Sequence, residues 1–401
     1  MPTTPARRFR LLAVLSHPIQ YLVPLMRKLA AHPRVDLMVC FMKDTGLRAG
    51  YVEGYGETLK WDVPLLDGYP HRFLDNLSPR PGTTGPLARI NPGVVAELAR
   101  GRYDAVLLHG YMSVTEWMAL AAAKATGTKV LFFGDVLLAS PPREGAAAAR
   151  SDLARRAWCG SIDAALAMSS QAKRFYERYQ VPPARIFWVP LAVDNDSWMA
   201  KSAELRPRCA EWKRELGLDP DLPVILYVAH MRPNKRPVDV VKAFERMKVR
   251  ASLVMVGGGP LHAELTRYVA DRGVARVHLA GMQNQNALPR FYATGDLFVL
   301  PSGPGEVTPL VLHEAMCSSL PLVVSDAVPS TIDCVREGEN GFTYPLGDVD
   351  ALADRFDRML ADPQTTAAMG ARSRELIASW SYEVDVAGIV AALSAVGARQ
   401  S

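Results

Sequence analysis

"DLFVLPSGPGEVTPLVLHEAMCSSLPLVVSD", residues 296–326, places a glycine- and proline-rich loop and a short helical pattern between two apolar runs. Neither run alternates with period two, as expected of parallel strands covered on both faces. Thr308 reads as an N-cap and Pro309 as the first helical residue, which predicts a helix over 309–318. Glu306 then lies on the loop before the helix, and Glu314 in its second turn. The two carboxylates do not stack on one helical face. An anion fits the positive end of the helix between them. Carboxylates also accept paired hydrogen bonds from vicinal hydroxyls. Taken alone, the spacing means little and points to surface or capping roles.

The same strand–loop–helix unit recurs along the chain. In the first half the apolar runs are 10–16, 35–42, 104–110, 129–135 and 163–169, and in the second 224–230, 251–258, 276–282, 296–302 and 320–326. Helical patterns at 237–248, 260–272 and 286–294 separate the later runs, while "NGFTYPLGD" (340–348) reads as a late turn or edge segment. Alternating β and α elements predict parallel α/β architecture. A strand-poor, polar stretch at 190–223 marks the linker. Two doubly wound domains follow, 1–193 and 194–380, facing each other across a cleft, with 381–401 as a terminal helix returning to the first. Ligands are expected at the carboxyl ends of the strands.

With 401 residues, 49% apolar and 22% charged, the chain has the composition of a globular protein of two domains. No run approaches the ~20 apolar residues of a membrane span. The opening "MPTTPARRFRLLAVLSHPIQ" reads as a buried first strand, because LLAVL is too short for a signal-peptide core. Cytoplasmic placement follows as an expectation. Five scattered cysteines without a C-x-x-C pair indicate neither a disulfide framework nor a zinc site. The net charge of +5 is uneven: residues 1–190 hold 24 Lys+Arg against 15 Asp+Glu, a balance of +9. Such a half suits a phosphorylated substrate or peripheral contact with an anionic membrane face. No nucleic-acid-binding motif accompanies it.

Six segments, in order, resemble the retaining glycosyltransferases of family 4, which have the GT-B fold of two Rossmann-like domains. They are "YQVPPARIFWVPLAVDNDSW", "VILYVAHMRPNKRPVDVVKAF", "LVMVGGGPLHAELTRYV", "VHLAGMQNQNALPRFYATGDLF", the opening stretch with its glutamate-x7-glutamate spacing, and "ENGFTYPLGDVDALADRF". Together they cover roughly 175–380. The resemblance implies that Glu314 binds the nucleotide ribose, that Glu306 contacts the donor sugar, and that amides near Leu310 and Val311 hold the diphosphate. It implies that Lys235 neutralises the diphosphate. His230 stands where arginine is usual, so Arg232 or Arg236 is the candidate to supply that charge. Pro309 replaces a common glycine and removes one amide donor. His109 ends an apolar strand, and the resemblance implies a place for it near the donor sugar and acceptor. His17, Gln20 and Asp135 are further candidates on the donor or acceptor side.

The expected activity is metal-independent, retaining transfer of a sugar from a UDP- or GDP-linked donor to an acceptor hydroxyl, in glycan, glycolipid or specialised-metabolite biosynthesis. No cofactor is expected. The alternatives are a nucleotide-sugar epimerase-like enzyme and an inactive binding subunit. "DND" at 194–196 spells a metal motif of another architecture but falls in the linker, and "GGGPLH" (257–262) reads as a tight turn into a helix begun by Pro260.

Overall fold

The computed structural model describes residues 7–47, 50–52, 57–59, 61–81, 85–138 and 145–397. Two compact units divide the chain: Met1–Arg48, Pro64–Leu191 and Tyr382–Ser401 form the first, and Ala49–Val63 with Ala192–Ser381 the second. In chain order the strands are β1 (Phe9–Leu15), β2 (Val35–Phe41), β3 (Gly50–Val52), β4 (Glu57–Leu59), β5 (His71–Phe73), β6 (Ala105–His109), β7 (Lys129–Phe133), β8 (Ala164–Ala167) and β9 (Ile186–Trp188). There follow β10 (Val224–Val228), β11 (Ser252–Val256), β12 (Val277–Gly281), β13 (Leu297–Leu300), β14 (Leu322–Ser325) and β15 (Gly341–Tyr344).

The first unit holds a parallel sheet in the order β5-β2-β1-β6-β7-β8-β9. Its central strands are nearly solid runs of buried Leu, Val, Ala and Phe, because helices cover both faces. Strand order reverses between β1 and β6, where Leu11–Val14 pair in register with Ala105–Leu108. That reversal is a topological switch point, the place where loops on opposite sides of the sheet part and a ligand can enter. β5 and β9 were not legible in the sequence: each has three residues, sits at a sheet edge and is largely uncovered, so neither makes a long apolar run.

In the second unit the order is β12-β11-β10-β13-β14-β15, again parallel, with the reversal between β10 and β13. β10, β11, β13 and β14 are fully buried, and two apolar clusters cover the two faces. The segment 340–348 supplies the edge strand β15. The antiparallel pair β3–β4 belongs to this unit, and just beyond it the Asp62 carbonyl accepts the Asn286 side-chain amide at 2.9 Å.

The last helix, Tyr382–Gly397, packs against β8, β9 and the helix Val23–Ala31. Tyr382 Oη donates to the Tyr21 carbonyl at 2.7 Å, and buried Asp385 accepts the Leu191 amide at 3.2 Å. Gly388 permits this approach, since a Cβ there would stand 2.1 Å from the Trp188 carbonyl oxygen. One helical stretch among the described residues, Pro363–Gly397, is long and apolar enough by composition to cross a membrane. Its regular helix is broken between Ile377 and Tyr382, and the two helices on either side belong to different units. One face of Tyr382–Gly397, with Val386, Ile389, Val390, Leu393 and Val396, is buried within the fold.

Candidate functional site

The carboxyl ends of β10 and β13 flank the switch point of the second unit. The loop after β10 carries His230, Arg232, Lys235 and Arg236, and the loop after β13 carries Glu306 and leads to the helix Leu310–Cys317. Two contacts tie the two loops together, and Tyr227 braces the first loop from beneath. The Gly303 amide donates to the Asn234 carbonyl at 2.7 Å, and the Lys235 ammonium is hydrogen-bonded to the Glu306 carboxylate. Tyr227, fully buried in β10, points its hydroxyl at the His230 and Lys235 carbonyls, each at 3.4 Å. Both members of the Lys235–Glu306 pair are largely enclosed, with side chains 18% and 12% exposed.

The first loop is shaped by glycine. Gly257 and Gly259 have φ of +139° and +135°, which L side chains rarely adopt. A Cβ on Gly257 would lie 2.0 Å from the Ala229 carbonyl oxygen, and one on Gly259 2.9 Å from that of Met231. "GGGP" therefore presses its backbone onto the 229–231 loop, where the Met231 amide donates to the Gly258 carbonyl at 2.8 Å. The helix beyond begins at His262, two residues later than Pro260.

His230 is held neutral near neutral pH. Burial lowers its pKa to about 4, with the charges of Arg232 and Lys235 adding to the effect. The positive charge at this loop therefore comes from Lys235 and Arg232, and Arg232 makes no ion pair among the described residues. Arg236 turns elsewhere: in a left-handed conformation, φ 46°, it donates to Asp239 at 2.5 Å in the first turn of the helix Pro237–Arg246.

The helix after Glu306 starts one residue later than the sequence indicated. Pro309, at φ −75° and ψ 93°, is the N-cap residue, and Thr308 does not cap; its Oγ1 is buried without a hydrogen-bond partner. The reason is local, since the extended ψ of Pro309 delays the first helical turn to Leu310. The amides of Leu310 and Val311 are thus the first two of the helix, outside its internal ladder, and the proline has removed neither. Glu314 is buried rather than projecting into solvent. Its Oε2 accepts a 2.7 Å hydrogen bond from Tyr292 Oη, and burial lifts its pKa to about 7 against the opposing pull of that bond. Tyr292, on the helix Leu288–Thr294, was not singled out from the sequence, where it reads as one more core aromatic.

In the first unit the switch point gathers a different set. His109 is the last residue of β6, with its ring 5.6 Å from that of Phe133. His17 follows β1 and bonds Ser16 Oγ through Nδ1 at 2.9 Å. Burial is the main cause lowering both imidazoles to about 4; Lys43, His109 and Arg89 add to it at His17, and Arg89 at His109. Lys43 and Arg89 also escaped the sequence reading. The signal for Lys43 was a cation closing the apolar run of β2; Arg89 had none. Gln20 lies on the β1–helix loop, and Asp135 is exposed two residues past β7, between buried Gly134 and Val136.

The tripeptide at 194–196 forms a helix start. Asp194 caps the helix Asn195–Leu205 by accepting the Ser197 amide, and buried Asn195 donates to the Ile377 and Trp380 carbonyls. Among the described residues no group of three or more His, Cys, Asp or Glu is placed to hold a metal ion.

Two parallel-sheet units, one with cations, a free helix N-terminus and two enclosed carboxylates at its switch point, define the GT-B class of fold. HepE of Anabaena, a structure solved with UDP, superposes with a TM-score of 0.73 at 16% identity, over 96% of this chain and 99% of that one. Residues 209–376 match the model of the family "Glycosyl transferases group 1". This segment, less than half of the chain, is similar to the group 1 glycosyltransferases. It is 30% identical over 192 residues to the alpha-D-kanosaminyltransferase of Streptomyces kanamyceticus, covering 47% of this chain and 49% of that protein. It is 31% identical over 227 residues to a GDP-mannose-dependent alpha-(1-6)-phosphatidylinositol monomannoside mannosyltransferase of Mycolicibacterium smegmatis, covering 53% of this chain and 57% of that protein. The chain thus spans about half the length of the curated relatives it matches.

Proposed function

We propose that this protein transfers a sugar from a nucleoside-diphosphate sugar to an acceptor hydroxyl, with retention of anomeric configuration. The observation that carries the reading is the convergence of Lys235, Arg232, Glu306 and the helix start at Leu310 around one switch point. In this reaction the bond from the anomeric carbon to the diphosphate breaks as the acceptor oxygen bonds to the same face. The acceptor proton passes to a leaving phosphate oxygen. Lys235, Arg232 and the Leu310 and Val311 amides carry the growing diphosphate charge, so the step requires no metal. Glu306 holds sugar hydroxyls once the diphosphate takes Lys235 from it, and Glu314 accepts the ribose hydroxyls.

His109 serves the sugar and acceptor, with His17, Gln20 and Asp135 as neighbouring contacts of the first unit. The name of the mycobacterial relative supports a GDP-linked donor, and a neighbour solved with UDP-glucose supports a UDP-linked one. A cytoplasmic protein acting on a glycan, a lipid-linked or a small acceptor, with peripheral membrane contact through its basic first half, fits this chemistry.

Incubation of the purified protein with UDP- and GDP-sugars and a panel of acceptors tests it. Release of nucleoside diphosphate with an α-configured product from an α-configured donor is expected. An isomerised nucleotide-sugar would assign an epimerase instead. Nucleotide binding without any turnover would leave the inactive binding subunit.

A further inference from the structure

We propose that Lys43 and Arg89 form an anion subsite in the first unit that takes the phosphate monoester of a phosphorylated acceptor. The proposal rests on the reading that this unit handles the acceptor. Its basis is the way the fold forces two cations together at the switch point. The Lys43 amide donates to the Ser16 carbonyl at 3.0 Å, which pins the end of β2 beside His17. Buried Asn91 donates its side-chain amide to the Met42 carbonyl at 3.1 Å and to the Leu74 carbonyl at 3.0 Å. Asn91 thereby holds the Arg89 segment against the residue preceding Lys43. Asn91 is fixed in turn, because its amide and Oδ1 both bond Thr115 Oγ1.

The charges gathered in this way are not balanced. Lys43 has no ion-pair partner among the described residues. Arg89, with its side chain 22% exposed, faces one carboxylate, Glu116, at 3.8 Å. That distance is too long for a hydrogen bond. Glu116 Oε2 accepts from the Ser113 amide at 2.6 Å and from the Ser113 hydroxyl, the capping box of the helix Val114–Thr126, which leaves Oε1 facing Arg89 and one negative charge against two cations. The two histidines add donors and no charge. Partly buried cations that repel one another persist where a ligand supplies the missing charge. A phosphate monoester carries about −1.5 to −2 at pH 7, the charge that two cations match, and arginine can grip two of its oxygens.

Calorimetry on the full chain tests the subsite, in a Lys235→Ala background so that phosphate cannot bind Lys235 at the switch point of the second unit. The probes are hexose 6-phosphate, the unphosphorylated hexose, and vesicles of phosphatidate or of phosphatidylcholine. We expect a preference for the phosphorylated probe of about tenfold or more, lost in Lys43→Gln and Arg89→Gln and kept in Lys43→Arg. Response to hexose 6-phosphate assigns a soluble acceptor; response to phosphatidate vesicles alone assigns a lipid headgroup. Equal binding of phosphorylated and neutral probes, or a preference that survives both glutamine variants, overturns the subsite. Because Arg89 also neighbours Glu116, Lys43→Gln is the variant that decides if Arg89→Gln fails to fold. Nucleoside diphosphate binding, measured with Lys235 intact, is expected to be unchanged in Lys43→Gln. A protein that binds nucleotide but shows no phosphate preference sinks the subsite alone. One that binds no nucleotide sinks the proposed transfer reaction instead.

Discussion

Tyr292 Oη donates to Glu314 Oε2 at 2.7 Å, and both side chains are buried. This single bond is the only one to the carboxylate among the described residues, so a neutral acid is favoured until the pH nears its pKa of about 7. A ribose whose hydroxyls donate to the group favours the ionised form.

The stability of the free protein should record that state. In the unfolded chain Glu314 ionises near 4.5, and in the folded one near 7. Between those values the unfolded state gives up its proton first, so the folded state loses stability as pH rises and the loss is complete above about 7. The shift corresponds to about 3 kcal/mol. Glu314→Gln should match wild type at pH 4 and exceed it at pH 8 by up to about that amount. Denaturant unfolding across this range measures the difference, which cancels the titration of every other group. A difference that stays constant with pH would show that Glu314 is not desolvated.

Lys235 and Glu306 should behave as a pair in the free protein and separately during turnover. Each is enclosed, so removing one leaves the other poorly solvated, at a cost of about 1–3 kcal/mol. Lys235→Met combined with Glu306→Gln should recover much of that loss in thermal unfolding. Transfer activity should not recover, because the diphosphate still lacks its cation. Lys235→Ala alone should lower kcat/KM by about 100-fold, the scale of one electrostatic contact to a leaving group. Normal turnover in that variant would remove Lys235 from the site.

Much of this arrangement was legible from strand ends. Continuous apolar runs such as "VILYV" and "DLFVL" announce buried parallel strands, and the residues just beyond them, Lys235 and Glu306, inherit a place at the ligand edge. Pairings across the fold were not legible. Nothing in "RFYATG" says that Tyr292 meets a carboxylate 22 residues on, because a buried tyrosine and a core aromatic look alike in one sequence. Arg89 was hidden for the same reason. It follows a short turn of helix outside any apolar run, and long-range bonds such as those of Asn91 hold its segment beside Met42.

The glycine turn should be intolerant of any side chain. Gly257→Ala combines a positive φ with a Cβ 2.0 Å from the Ala229 carbonyl oxygen, so the 229–231 loop must shift. A destabilisation of about 2–4 kcal/mol is expected, together with weaker nucleotide binding as His230 and Arg232 move. Gly273→Ala makes the control, since its φ is +60° and no atom lies within 4 Å of the added carbon. It should cost about 1 kcal/mol through backbone strain and leave nucleotide affinity unchanged. Equal nucleotide affinities in the two variants would show that the turn does not position the cations.

Pro309 bears most directly on how the proposed donor site would hold phosphates. In the sequence it looked like a donor removed from the helix start, but it occupies the N-cap position, ahead of the first helical amides. The donors at Leu310 and Val311 survive, and the φ of −75° is one the ring adopts without strain. Pro309→Ala should therefore act mainly on the unfolded chain, lowering stability by about 0.4–1 kcal/mol by restoring its freedom. Nucleoside diphosphate affinity should change by less than about threefold, because the added amide precedes the helical turn. A large gain in affinity would mean that the Pro309 position normally supplies a phosphate donor and that the proline weakens the site. Calorimetric titration of UDP and GDP against the two proteins decides between these outcomes.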